Sequence, residues 1–127
     1  MKNYIIYHLW IIALNSNLGK FEQLASYTEI HSGTVKGLTD SIKNYKWIVF
    51  IFGTSGNNID GFNVITIPSK FVSYQTNQIC GEHKHYGLSE YLSNYQIGFL
   101  DNNTLKAQYV NNNSDNYLLA VGIYGMN

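Results

Sequence analysis

From Trp47 to Gly53 the chain reads Trp-Ile-Val-Phe-Ile-Phe-Gly, seven residues without a charged or hydroxylated side chain. Turn residues bound the run, with Asn44-Tyr45 before it and Gly53-Thr54-Ser55-Gly56-Asn57-Asn58 after it. A short run rich in β-branched and aromatic residues reads as a strand buried on both faces. Such a strand has to be covered by other elements, so it is expected at the centre of a layered β structure.

The rest of the chain is punctuated in a way that agrees. Turn signals recur at Asn15-Ser16-Asn17, Ser32-Gly33, Asp60-Gly61, Gly81, Gly87, Asp101-Asn102-Asn103 and Asn111 to Asn116. Short apolar or alternating runs lie between them: Tyr4 to Leu14, Tyr27 to His31, Tyr45 to Phe52, Phe62 to Ile67, Phe71 to Ile79, Tyr95 to Leu100, Thr104 to Val110 and Tyr117 to Tyr124. Phe62, Val64 and Thr66 fall on one face of their run, and Asn63, Ile65 and Ile67 on the other. The Asp101-Asn102-Asn103 turn joins its neighbours as a hairpin. Many short strands with few helix formers predict an all-β fold, a single jelly-roll-like β-sandwich with at most one short helix. The helical alternatives are Leu18 to Ala25 and Leu88 to Tyr95, the latter with Ser89 as N-cap. A chain of 127 residues has room for one domain with a real core.

Composition narrows the partners. Formal net charge is zero and charged residues make up 13% of the chain, so the clustered Lys and Arg that nucleic acid demands are missing. The polar surface must come from Asn, Ser, Thr, Gln and Tyr, which suits hydrogen bonding and stacking with neutral partners such as sugars. An AT-rich genome would give the same bias. One cysteine, Cys80, leaves no internal disulfide, so stability rests on the core or on self-association. Tyr4 to Leu14 is too short to span a bilayer as a helix, so no membrane insertion is expected. His8 and two tyrosines interrupt it as a signal-peptide core, and no small-x-small cleavage site follows. It reads as an ordinary buried strand or packing segment.

From Ile30 onward several phrases occur in order: Ser32-Gly33-Thr34, Leu38-Thr39-Asp40-Ser41-Ile42, Asn44-Tyr45 with Trp47 to Phe52, and Gly122-Ile123-Tyr124-Gly125. This series resembles the C-terminal tip domains of phage and prophage tail fibre or tail-tip proteins over roughly three quarters of the chain. The segment Met1 to Leu24 matches none of the phrases, so residues 1–26 stand apart from a tip-like β-sandwich over residues 27–127. Tail fibres are long, so a chain of this length answers to a fibre fragment, a small standalone tip protein or a prophage remnant. The resemblance implies a compact β tip, a homo-oligomer and most often a trimer. Such a tip binds a bacterial surface glycan or protein without catalysis, on the virion and outside the cell. Two further readings stand beside it. One is a structural or assembly protein of a tail or related particle without receptor contact. The other is a small secreted lectin or enzyme.

The one local cluster with chemical potential is Cys80-Gly81-Glu82-His83-Lys84-His85-Tyr86-Gly87. In an extended segment His83 and His85 share a face and can share a metal ion. In a trimer of the kind the resemblance implies, three chains would supply six nitrogens for a divalent transition metal, and no other cofactor is expected. The bland alternative is an exposed polar loop. A Cys80–His83 half-site lacks the further ligands zinc needs, and a Cys–His nucleophile needs a lowered thiol pKa and an oriented base that no motif indicates. No catalytic residue is assigned. Tyr86, Tyr91 and Tyr95 lie in a polar region and are the exposed aromatic candidates for ligand binding. Asn112 and Asn113, in the Asn111 to Asn116 loop, are their polar companions. Trp47 is expected in the core. Gly122 and Gly125 are expected to permit close strand packing or a bulge.

Overall fold

The computed structural model describes residues 21–56, 61–72, 79–85 and 90–127. These residues form eight strands: β1 (Phe21–Glu29), β2 (Val35–Gly37), β3 (Trp47–Thr54), β4 (Asn63–Pro68), β5 (Ile79–Lys84), β6 (Leu92–Asp101), β7 (Thr104–Asn112) and β8 (Leu119–Met126). They make two antiparallel four-stranded sheets, ordered β1-β8-β3-β4 and β2-β7-β6-β5. The expected β-sandwich is borne out. Its ends nest as in a jelly roll, β1 against β8 and β2 against β7. The inner four strands instead pair with their sequence neighbours, β3 with β4 and β5 with β6, as short connections favour.

Helical structure among the described residues is confined to two 3-10 turns, Ile42–Asn44 and Ser69–Phe71, and to His85, which also takes a 3-10 conformation. Both helical alternatives are overturned where they are described: Phe21 onward is β1 and Leu92 onward is β6. Propensity gave way to pairing, since each stretch has a full antiparallel partner. The division at residue 26 falls inside β1. The run Tyr4 to Leu14 and most of Phe71 to Ile79 lie outside the described residues.

In β3, Ile48, Phe50 and Phe52 point inward and are fully buried, with Ile123, Val121, Ile97, Phe99 and Leu105 around them in one core cluster. Phe50 packs edge-on to Phe99 at 6.2 Å between ring centroids. The opposite row is less covered than expected: Val49 is buried, Ile51 half-buried, and Trp47 is 39% exposed. Trp47 is thus not a core residue, because alternation puts it on the outer row at the sheet's end, paired with Pro68 and Met126. In β4 the expected alternation holds, with Val64 and Thr66 exposed and Ile65 and Ile67 packed toward the core. The β6–β7 hairpin turns at Asn102 and Asn103, where Asp101 Oδ1 accepts from the Asn103 amide at 2.8 Å.

The polar phrase before β3 closes one end of the sandwich. Asp40 gathers three donors: the Ser41 amide at 2.8 Å, Asn44 Nδ2 at 2.7 Å and the Tyr45 hydroxyl at 2.9 Å. Ser41 Oγ caps the first 3-10 turn, and Ile42 drops into the core. The Thr39 and Ile42 amides bond to Leu24 and Asn102 carbonyls, fastening the turn to both sheets. The Tyr45 ring then lies flat against Gly125 of β8, so two of the sequence phrases meet across the core.

Burial, together with the bond to Asp40, pushes the Tyr45 hydroxyl up to about 12. Burial does the same for Tyr95, also to about 12, with Cys80 adding a smaller effect. Both phenols bind their proton more tightly folded than unfolded, so their contribution is complete below about pH 10 and is lost as pH rises toward 12. The expected result is a melting temperature that falls steeply between about pH 10 and 12, with the last two of the eleven tyrosines ionising only as the β-sheet dichroism is lost. Ionisation of all eleven while the fold persists would contradict it.

Candidate functional site

The far end of the sandwich, opposite Tyr45, is polar inside and out. On β5, Gly81 and His83 face inward, and so does His85 just beyond the strand. Cys80, Glu82 and Lys84 face outward. His83 and His85 are 1% and 0% exposed, with ring centroids 4.7 Å apart at 86°. His85 bridges two hydroxyls, Thr54 Oγ1 at 2.6 Å from Nδ1 and Ser93 Oγ at 2.7 Å from Nε2.

Asn112 fixes the polarity of this hydrogen-bond chain. Asn112 Oδ1 accepts from the Leu119 amide at 3.2 Å, which fixes the amide's orientation. Ser93 Oγ donates to that same oxygen. Ser93 therefore accepts from His85, so the proton sits on Nε2, and Nδ1 accepts from the Thr54 hydroxyl. The chain runs from β3 through β6 and β7 and ends at the β8 backbone, joining both sheets. Buried polar groups paired in this way hold a site rigid.

Outside this network lies the surface it supports. Asn113 Oδ1 accepts from the Leu92 amide at 2.8 Å, and its Nδ2 donates to the Glu90 carbonyl at 2.8 Å. The His85 amide donates to the Tyr91 carbonyl at 2.7 Å. The Asn113 and His85 bonds fix the backbone that presents Tyr91. Its ring lies 4.4 Å from that of Tyr117 at 34°, both half-buried, and Tyr117 in turn sits 6.0 Å from the His85 ring. At the same end Ser55 Oγ donates to Glu29 Oε1 at 2.6 Å, and His31 Nε2 lies 2.5 Å from Oε2. The Ser55 bond, then His31, holds the Glu29 carboxyl below the usual range. The end thus offers tilted aromatic faces, backbone-bound amides and a carboxylate that stays ionised.

Folding brings Tyr91, Asn112 and Asn113 together, as the binding candidates require. It removes Tyr95 from the list. Tyr95 is 3% exposed and stacks on Phe52 at 4.1 Å, over Gly81. Its polar neighbours Asn94 and Gln96 misled the reading, because in a strand they face the opposite way. Tyr86 lies outside the described residues. Asn112 and Asn113 place their side chains on the protein's own backbone and hydroxyls, so they position the surface instead of presenting free amides.

His83 and His85 share a face as expected, but it is the inner one, and the exposed polar loop is overturned along with the exposed metal site. Enclosed imidazoles cannot meet copies on a three-fold axis, and both His85 nitrogens already face hydroxyls. Among the described residues no group of three or more His, Cys, Asp and Glu side chains could hold an ion. The residues do not fit the shared metal. Cys80 points away from both histidines, so neither the half-site nor the Cys–His pair forms. Sequence reading missed Thr54, Ser93 and Tyr117. The period-2 rule applied to Ser93, opposite His83, was the one available signal.

Comparison with protein-family models and with curated proteins gives no match to this chain.

Proposed function

We propose that the protein is a non-catalytic binding module of the phage or prophage tail-tip kind. The Tyr91–Tyr117 end would contact a bacterial surface component, a glycan foremost. The observation that carries this reading is the half-exposed tyrosine pair, 4.4 Å apart, standing on a buried hydrogen-bonded network. Sugar rings present C–H faces to aromatic rings and hydroxyls to carboxylates and backbone groups, and this end holds all three. A surface positioned beforehand avoids the ordering cost that weakens flexible sites. Copies assembled on one particle, a trimer in the form the resemblance implies, would multiply a weak single-site affinity. The packing of Tyr45 on Gly125 supports the resemblance, since it makes one unit of two phrases far apart in the chain.

Retention of the protein on bacterial cells and on a glycan array tests the reading. Tyr91→Ala and Tyr117→Ala are each expected to weaken retention about tenfold, or about 1.4 kcal/mol, with the fold kept because both rings are half-exposed. Retention unchanged in both variants would move the contact elsewhere. Absence of retention in the parent protein would favour the structural or assembly role.

A further inference from the structure

Trp47 is the one tryptophan among the described residues, and it is left exposed at the end of a sheet. It forgoes the burial that usually holds this residue in a core. Around it, where β3 begins and β4 ends, lies a cleft of about 410 Å3 lined by Tyr45, Lys46, Trp47, Pro68, Ser69 and Lys70. That volume is in the range of small-molecule sites. The walls are fixed from several sides. The Ser69 amide donates to the Lys46 carbonyl at 2.8 Å, and the Lys46 amide donates to the Met126 carbonyl at 3.1 Å. Ser69 Oγ donates to the Tyr45 carbonyl. Trp47 pairs with Pro68 across the strands, and the Tyr45 hydroxyl is held by Asp40 at 2.9 Å. A ligand would meet these walls already in place, with little ordering cost.

Charge selects the ligand. Lys46 and Lys70 are exposed, and neither ammonium lies within ion-pair distance of a carboxylate among the described residues. Lys70 Nζ stands 5.3 Å from the centre of the Phe71 ring. Lys43 is on the adjoining 3-10 turn, so three of the chain's eight basic side chains gather at this end. Of the acids nearby, Asp40 already accepts three hydrogen bonds, and Glu22 acts on the Tyr45 hydroxyl. Two ammonium groups repel a cation and attract an anion. Phosphate sites draw on several free backbone N–H groups, whereas the Lys46 and Ser69 amides are spent on carbonyls. Two point-charge ammonium groups suit a singly charged carboxylate better. The negative face of the indole ring attracts the C–H face of a sugar. We propose that this cleft is a carbohydrate site for sugars that bear a carboxylate, the uronic acid units of an acidic polysaccharide. The sugar ring lies on Trp47 and the carboxylate is met by Lys46 and Lys70. The site is at the opposite end of the sandwich from Tyr91 and does not depend on that reading.

Nuclear magnetic resonance of the isotope-labelled full chain tests this, with trigalacturonic acid as the probe and its full methyl ester as the uncharged counterpart. The acid is expected to shift the Trp47 indole N–H and the Ser69 and Lys70 amides in a saturable way. The ester should bind at least about fivefold more weakly, since it lacks the charge that the lysines attract. Raising salt to about 1 M, where screening reaches within about 3 Å, should weaken the acid several-fold. Lys46→Gln combined with Lys70→Gln is expected to weaken the acid about tenfold, and Trp47→Ala, which also assigns the indole signal, by a similar factor. Both lysines are exposed, so the lysine variant keeps the fold whatever Trp47→Ala does to it. No saturable shift at the cleft, or shifts confined to the Tyr91 end, would overturn the proposal. So would equal affinity for acid and ester, or unchanged affinity in the lysine variant. Adenosine monophosphate bound more tightly than the acid would also overturn it, assigning the cleft to a nucleotide.

Discussion

Gly125→Ala is expected to destabilise the protein by about 2–4 kcal/mol and lower its melting temperature by roughly 10 °C. A Cβ at this position would lie 2.4 Å from Tyr45 Cγ and 2.5 and 2.6 Å from its two Cδ atoms. These are the root atoms of a rigid ring. The ring cannot swing aside, because its hydroxyl is held by Asp40 at 2.9 Å and Asp40 is itself held by Ser41 and Asn44. Gly81→Ala repeats the conflict at the other sheet, with a Cβ 2.4 Å from the Tyr95 hydroxyl oxygen and 2.6 Å from Cζ. Gly37→Ala is the control: it is also in a strand, but nothing lies within 4 Å of its Cβ position, and its effect should stay within about 0.5 kcal/mol. Thermal denaturation of the three variants checks the order. A double-mutant cycle sharpens it, since Tyr45→Ala removes the atoms that Gly125→Ala would strike. The pair should cost clearly less than the sum of the singles. Additive costs would mean that the ring is not what constrains Gly125.

Much of this was legible in the sequence wherever period and punctuation agree. Ile48, Phe50 and Phe52 alternate inside a bounded run, Asp101-Asn102-Asn103 is a turn, and Ile65 and Ile67 alternate with Val64 and Thr66. Pairing and burial followed. What could not be read was which polar residues face inward. His83, His85 and Ser93 are buried because each falls on the inward phase of its stretch of chain; His85 and Ser93 find hydrogen-bond partners there, and a partner 31 positions away, such as Thr54, leaves no local trace. Tyr95 failed for the same reason in reverse: its neighbours are polar, but they occupy the other phase. Strand β2, three residues long, has too few positions to show a period at all. The candidate surface was half legible. Tyr91 and Asn113 were singled out as loop residues of a polar region, whereas Tyr117 read simply as the first residue of the last strand. The apolar outer row of β3 was visible from the start as a strand apolar on both sides. Only the topology revealed that one side has no second layer over it among the described residues.

His85→Leu should be the most damaging single change at the polar end, costing about 3 kcal/mol. The leucine fills similar space, so the loss is not a cavity. It comes from removing the imidazole between the Thr54 hydroxyl and the Ser93 hydroxyl, both of them buried. A buried polar group deprived of its partner bears the full desolvation penalty, whereas replacing all the partners with apolar groups of similar shape can be nearly neutral. The triple variant Thr54→Val, His85→Leu, Ser93→Ala is therefore expected to recover most of the stability that His85→Leu loses. Asn112 still accepts from the Leu119 amide in that background, so β7 and β8 remain joined. Binding should separate from stability. The triple variant regains its melting temperature, but Tyr117 no longer rests against an imidazole fixed at both nitrogens, and Tyr91 follows a chain end whose inner anchor has changed. Cell or glycan retention should stay reduced about three- to tenfold after stability returns, a difference of about 0.6–1.4 kcal/mol. Recovery of both properties together would make the network purely structural. Recovery of neither would place the cost of His85→Leu in packing rather than in hydrogen bonding.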